Sequence, residues 1–355
     1  MQLTYILGNG FDVAIGLATS YPCFYKWYKD QENESDEISL LKKTIKEEID
    51  KGNDNWKDFE YALGQFTSKV TDKKKYMDCF QTARKSLIEY LTMVYSNGKA
   101  DNEDFLKSAT YCLVERSQNS DSDLSDEYKP LFSTPKDAEM MFNCISFNYT
   151  PVLREGKDEL ISNAQGFSNA YNRLSRYTIG NILNVHGTLN DYPILGVDNT
   201  MQIANEAFRE DEEIVQMMVK GEVDKKIGRN WRKDAVSIID KSDKIYIYGA
   251  SLGETDEFWW KTLARWFEAD EKHELAIYCH PEENEDDMTR KIEQFLNSIV
   301  KHLKNPKYKF RIAIDKVNKK MTVGFVHAAA KLEIKSYASA SMTLMDAINL
   351  KTKDE

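Results

Sequence analysis

Residues 3 to 7, LTYIL, make a short and nearly unbroken apolar run that stops at Gly8, Asn9 and Gly10. Such a run bounded by glycine suits a parallel strand buried on both faces. Parallel neighbours need long crossover connections, so a chain that opens this way must alternate strands with helices. The turn itself has two readings. Without Cβ atoms at Gly8 and Gly10, backbone N–H groups approach a phosphate at a helix start, or the chain merely turns a tight corner. The dinucleotide fingerprint places a third glycine where this chain has Val13.

Helices follow. In TSYPCFYKW, Ser20 or Tyr21 stands at a cap and Pro22 at the first helical position, where a missing N–H costs nothing. Trp56, Phe59, Leu63, Phe66 and Val70 step by three and four, and Phe80, Leu87, Ile88, Leu91, Val94 and Tyr95 line a second face, so the spacing predicts a helical insertion running to about residue 117. Residues 117 to 130, SQNSDSDLSDEYKP, are polar and closed by proline, which marks a loop and a boundary. Apolar stretches then return at 141 to 150, 182 to 189, 192 to 197 and 244 to 256, and three of the four resemble strands that deliver polar residues at their ends. ELAIYCH and YKFRIAI also read as strands, and Met288, Ile292, Phe295, Ile299 and Leu303 as an amphipathic helix. The alternation predicts an α/β fold with a doubly wound, mostly parallel Rossmann-like sheet, whose ligand crevice lies beyond the carboxyl ends of the strands.

Composition excludes several classes. No stretch of the 355 residues approaches the roughly 18 apolar residues of a membrane span. The first residues lack a signal-peptide pattern, which predicts a cytoplasmic protein. Five separated cysteines without a C-x-x-C pair support neither a disulfide framework nor a zinc ribbon. The net charge of −10 opposes a nonspecific nucleic-acid surface, although residues 301 to 355 carry 12 Lys and Arg against 5 Asp and Glu.

Four polar strand ends, three of them marked by glycine, carry the candidate chemistry, each with a plain structural alternative. Asp12 follows the opening turn, as a functional carboxylate or as a helix-start acid favoured by the dipole. Asn148 in SFNYT holds a ribose hydroxyl or an attacking water, or makes an Asx turn. His186 in NVHGTLN sits before a glycine, where it serves as a general base or as a structural histidine. In YGASLGETDEFWW, Gly249 permits close approach and Ser251 binds a phosphate or hydroxyl, while Glu254 and Asp256 open a helix; N-capping explains the same residues.

The order of ILGNGFDVAIGLATSY, SFNYT, VHGTLN and IYGASLGETD resembles the AbiH-like bacteriophage abortive-infection family, and also the sirtuin-like NAD-binding superfamily. The resemblance implies a nucleotide site for NAD or an ADP-ribose relative, with Gly8 and Gly10 at the pyrophosphate, Asn148 at the nicotinamide ribose, Gly249 and Ser251 at the adenosine half, and Asn9, Phe11, Tyr149, Glu254 and Asp256 among the cofactor-binding residues. His186, Asn148 and Asp12 then form the catalytic set of an antiphage effector that hydrolyses NAD, with no metal. A sensor that binds the nucleotide without turnover is the alternative, and a metal-dependent nuclease the third. Sirtuin deacetylases carry a four-cysteine zinc module, but no cysteine lies between Cys144 and Cys279, so deacetylation is not expected; Asn9 and Asp12 also replace small residues of the sirtuin turn. The implied organisation is a nucleotide-binding domain of residues 1–30 and 138–300, a helical insertion of 31–137 and a basic segment of 301–355. Partners would be the nucleotide, a phage-derived trigger or partner protein, and further copies of the chain.

Overall fold

A computed structural model describes residues 1–32, 35–50, 56–101, 139–162, 176–278, 298–304, 309–317, 320–327 and 340–343. The loop expected at 117–130 and most of the helix expected over 288–303 lie outside these residues.

The first strand, β1 (Gln2–Leu7), runs as the opening apolar stretch requires, and Leu3, Tyr5, Ile6 and Leu7 are buried on alternating faces. It is flanked by β2 (Glu139–Ser146) and β4 (Lys244–Tyr248); β3 (Arg176–Asn184) lies outside β2 and β5 (Glu274–Tyr278) outside β4. These five strands are mutually parallel, in the order β3-β2-β1-β4-β5. The sheet then continues through three antiparallel strands, β6 (Lys309–Val317), β7 (Lys320–His327) and β8 (Ala340–Thr343), in the order β5-β7-β6-β8. Much of the basic 301–355 stretch therefore belongs to the sheet itself. The parallel part is the Rossmann-like arrangement expected, and its winding reverses between β1 and β4.

One face of the sheet, through Ile6, Ile145, Ile245 and Ile247, packs against α10 (Trp231–Asp240) and α11 (Glu257–Ala269), where Trp259, Trp260, Leu263, Trp266 and Phe267 are core. The opposite face, through Tyr5, Leu7, Cys144 and Tyr246, receives Phe11 of α1 (Asn9–Ala14), Leu153 of α6 (Val152–Glu155) and Tyr95 of α5 (Lys73–Asp101).

A third core belongs to the insertion. Here α2 (Tyr21–Tyr28), α3 (Asp36–Asp50), α4 (Trp56–Phe66) and α5 pack Tyr21, Phe24, Leu41, Phe59, Leu63 and Phe80 together with Leu195, Val197 and Met218 from the later half of the chain. Ser20 is the N-cap residue of α2 but makes no side-chain capping hydrogen bond, and Pro22 stands second in the helix, one place later than expected, still within the first turn where its missing N–H costs nothing. The short helices α7 (Glu206–Arg209), α8 (Glu212–Met218) and α9 (Lys220–Lys226) complete this layer.

Of residues 192–197, YPILGV, Tyr192 is exposed and the other five are buried, and the stretch does not join the sheet. Val197 N–H donates to Met218 O at 2.8 Å and Lys220 N–H to Val197 O at 2.9 Å, so the segment is stitched instead to the α8–α9 junction. No helix among the described residues is long and apolar enough to cross a membrane.

Candidate functional site

Strand register assembles the site. Leu7 of β1 lies level with Ser146 of β2 and Tyr248 of β4, and Ser146 with Asn184 of β3. Whatever follows these four residues emerges on one edge of the sheet, beside the point where the winding reverses and where ligands of such folds bind.

At the centre of that edge the two glycine turns pack directly on each other. Gly8 N–H donates to Tyr248 O at 2.9 Å and Gly10 N–H to Gly249 O at 3.0 Å. A Cβ on Gly8 would stand 2.5 Å from Ala250 Cα, one on Gly10 2.6 Å from Gly249 Cα, and one on Gly249, at φ +70°, 2.5 Å from the Phe11 nitrogen. The glycines are thus required by backbone contact between the turns. The Phe11 amide donates to Gly8 O at 2.9 Å, so the amides of Gly8, Gly10 and Phe11, which a phosphate cradle would use, are all engaged within the protein. The turn after β4 is strained: Leu252, buried and not glycine, takes φ +52°.

On one side of the glycine turns lies a neutral-to-acidic cluster. Asp12, in the first turn of α1 and only 2% exposed, accepts hydrogen bonds from Asn148 Nδ2 and from Thr150 Oγ1, both at 2.7 Å. Asn184 at the end of β3 donates through Nδ2 to the carbonyls of Asn148 (3.0 Å) and Thr150 (3.3 Å), which fixes the SFNYT turn against the neighbouring strand. Burial pushes the Asp12 carboxyl up to about 7 against the opposing pull of its two hydrogen bonds, so it exchanges its proton near neutrality.

On the other side lies a buried chain of charges. His186 follows β3, is 5% exposed and stacks on Phe147 at a centroid distance of 5.1 Å. It therefore stands at a strand end, as expected, but inside the core. His186 Nε2 lies 3.2 Å from Asp256 Oδ1, without the alignment of a hydrogen bond. The same Asp256 oxygen accepts from Lys220 Nζ at 2.8 Å, and Lys220 also donates to Glu60 Oε2 at 2.8 Å and to the Thr255 carbonyl at 3.1 Å. Burial and the Lys220 ammonium hold His186 below its ordinary range despite the Asp256 carboxylate. Burial disfavours charge on Asp256 too, yet the Lys220 ammonium outweighs it and keeps that carboxyl well below the usual range. Glu60 is raised to about 7, because burial exceeds the attraction of Lys220. The arrangement offers a neutral imidazole beside a fixed anion, the state a general base needs.

The structure thus joins Asp12 to Asn148, His186 to Asp256, and Gly8 and Gly10 to Gly249. Other candidates have different occupations. Phe11 is core, edge-on to Tyr248 at 6.1 Å. The Tyr149 hydroxyl donates to Ile194 O at 3.0 Å. Glu254 is exposed and contributes its carbonyl to Gln202 Nε2 at 3.0 Å. Asn9 and Ser251 are half-buried beside the glycine turns.

Thr150 and Asn184 lie inside the very stretches that drew attention, and their polar character at strand ends was signal enough to include them. Glu60 and Lys220 gave no local signal. Among the described residues no group of three or more His, Cys, Asp or Glu is placed to hold a metal ion.

A Rossmann-like sheet with polar residues gathered at the carboxyl ends of its parallel strands defines the class of protein. The family model for bacteriophage abortive infection AbiH matches residues 4–278, and the chain belongs to that family. Membership supports a role in phage abortive infection. No curated protein and no solved structure matches the chain.

Proposed function

We propose that the protein is an abortive-infection effector that binds NAD across the strand ends of its sheet and hydrolyses the bond between nicotinamide and ribose. The observation that supports the reading is the single sheet edge, at the reversal of the winding, after whose strands Asp12–Asn148, His186–Asp256 and the paired glycine turns all follow. The resemblance of the strand-end order to the sirtuin-like superfamily supplies the nucleotide class.

The leaving group is already cationic, so the transition state resembles an oxocarbenium ion, and the protein has mainly to position water and stabilise charge. His186 accepts the water proton as the water oxygen bonds to the ribose carbon. The carbon–nitrogen bond breaks with its electron pair on nicotinamide, which leaves neutral. Asn148 orients the water or the ribose hydroxyls, and Asp12 holds the Asn148 amide in place. Asn9 and Ser251, rather than the engaged amides of Gly10 and Phe11, are the polar groups assigned to the phosphates and ribose.

The deep burial of His186 favours a second reading, in which the same edge binds the nucleotide without turnover and acts as a sensor. The test is incubation of the pure protein with NAD and measurement of free nicotinamide. Release that His186→Gln abolishes supports the effector. Binding of ADP-ribose with no release, and growth arrest at constant cellular NAD, supports the sensor.

A further inference from the structure

The charge chain contains a residue that the proposed reaction does not use. Lys220 is 2% exposed, and its three donor directions end on Glu60, Asp256 and the Thr255 carbonyl. Three separate parts of the chain meet at this nitrogen: α4 through Glu60, the start of α9 through Lys220 itself, and the 3₁₀ turn Glu254–Asp256 after β4. A buried lysine loses its hydration, so an isolated one would be discharged. Burial opposes its charge here as well, but Asp256 and Glu60 prevail and hold the ammonium form.

We propose that Lys220 is a positioning residue for His186, acting through Asp256, with Glu60 of the helical layer locking the lysine in place. The geometry is specific: Lys220 and His186 converge on one oxygen, Asp256 Oδ1, at 2.8 and 3.2 Å. A carboxylate oxygen claimed by an ammonium group is a weaker proton partner for an imidazole than a free one. Asp256 therefore stands 3.2 Å from the His186 ring nitrogen without drawing a proton onto it, and the imidazole stays neutral.

The charged and titratable groups around the cluster are Glu60 from α4, Lys220 from α9, Asp256 before α11, Arg232 from α10, Asp198, which lies 3.5 Å from the Arg232 guanidinium, and the buried Tyr149 hydroxyl, which feels Glu60, Asp256 and Arg84. Lys220 and Arg232 both disfavour protonation of His186, and Asp256 alone among the named partners favours it. The arrangement makes the helical layer a structural part of the site, because Glu60 reaches it from α4.

This role rests on the proposed function of His186, but it is tested without turnover. The readout is the titration of His186 followed by NMR of ¹⁵N-histidine-labelled full-length protein, with the His186 resonances assigned by their loss in His186→Gln. Lys220→Met is expected to raise the His186 midpoint by at least one pH unit, a tenfold or greater gain in proton affinity. The double variant Glu60→Gln/Lys220→Met removes one cation and one carboxylate together, keeps the buried charge in balance, and is expected to show a rise of the same sign. If the wild type releases nicotinamide, the acidic limb of kcat/KM moves upward with the titration. A wild type that releases none defeats the hydrolysis reading and leaves the titration to decide the role of Lys220. An unshifted His186 in either folded variant overturns the proposal. Loss of the fold in both also overturns it, because the lysine is then architectural.

Discussion

Asp12 and Asn148, 136 positions apart in the chain, meet through a 2.7 Å hydrogen bond across the ends of two adjacent parallel strands. The bond joins the first turn after β1 to the turn after β2, and Thr150 closes it from the other carboxylate oxygen at 2.7 Å. A buried carboxyl with two donors and, among the described residues, no cation bonded to it has consequences for stability, acid–base behaviour and turnover.

The Asp12 carboxyl has a folded-state value of about 7 against an ordinary 3.8, so folding favours its protonated form. Its contribution to stability is complete below pH 3.8 and is lost as pH rises through about 7. Asp12→Asn keeps the shape and removes this titration. Urea unfolding at several values between pH 4 and 8 should show the wild type losing stability relative to Asp12→Asn as pH rises, by up to about 4 kcal/mol at 1.36 kcal/mol per unit. A difference independent of pH would mean that Asp12 does not change protonation on folding.

Lys220→Met leaves Glu60 and Asp256 buried without their cation. Breaking a buried pair from one side costs about 3–5 kcal/mol, mostly from the charge left behind. In a double-mutant cycle with Glu60→Gln the two changes should therefore be non-additive, with a coupling of about 1–3 kcal/mol measured by urea unfolding. Simple additivity would show that the 2.8 Å contact carries no energy.

Gly249→Ala is expected to be far more damaging than Gly16→Ala, although both glycines have positive φ, +70° and +94°. Alanine at 16 meets nothing within 4 Å and carries only the conformational cost, about 1 kcal/mol. At 249 the added carbon stands 2.5 Å from the Phe11 nitrogen and 2.6 Å from Gly10 Cα, which are backbone atoms without freedom to swing away. The expected outcome is a further loss of more than about 3 kcal/mol, seen as a lower melting temperature or as insoluble protein. Equal melts would falsify the close packing of the two turns.

Asn148→Ala separates a positioning role from a structural one. In the effector reading it lowers kcat for nicotinamide release by at least about 100-fold with little change in KM. Stopped release in a variant whose melt matches the wild type supports the assignment. A lower melting temperature with unchanged kcat would make the residue a clamp for Asp12 and no more.

The parallel strands and their polar ends were written in the sequence itself. An apolar run such as TYIL followed by GNG has one economical solution, a strand buried on both faces that must turn at once, because its composition leaves no face for water. Asp12, Asn148, His186 and Asp256 were legible for the same reason, as polar groups set where each such strand must stop, all but Asn148 close to a glycine. The role of those glycines was not, since whether a bare Cα faces a phosphate or another backbone depends on what crosses it; here Gly249 lies across Gly8 and Gly10. Nor was the place of the last strands: KFRIAIDKV reads as a strand among basic residues, but only pairing with β7 and β8 makes it part of the common sheet. Glu60 and Lys220 mark the limit most sharply. Each sits in a helical stretch rich in charge, where local spacing describes an ordinary solvated face, and they pair across 160 positions. Tertiary packing took both from water and brought them within 2.8 Å, because charges buried at the meeting of the helical layer with the strand ends are stable only in each other's company.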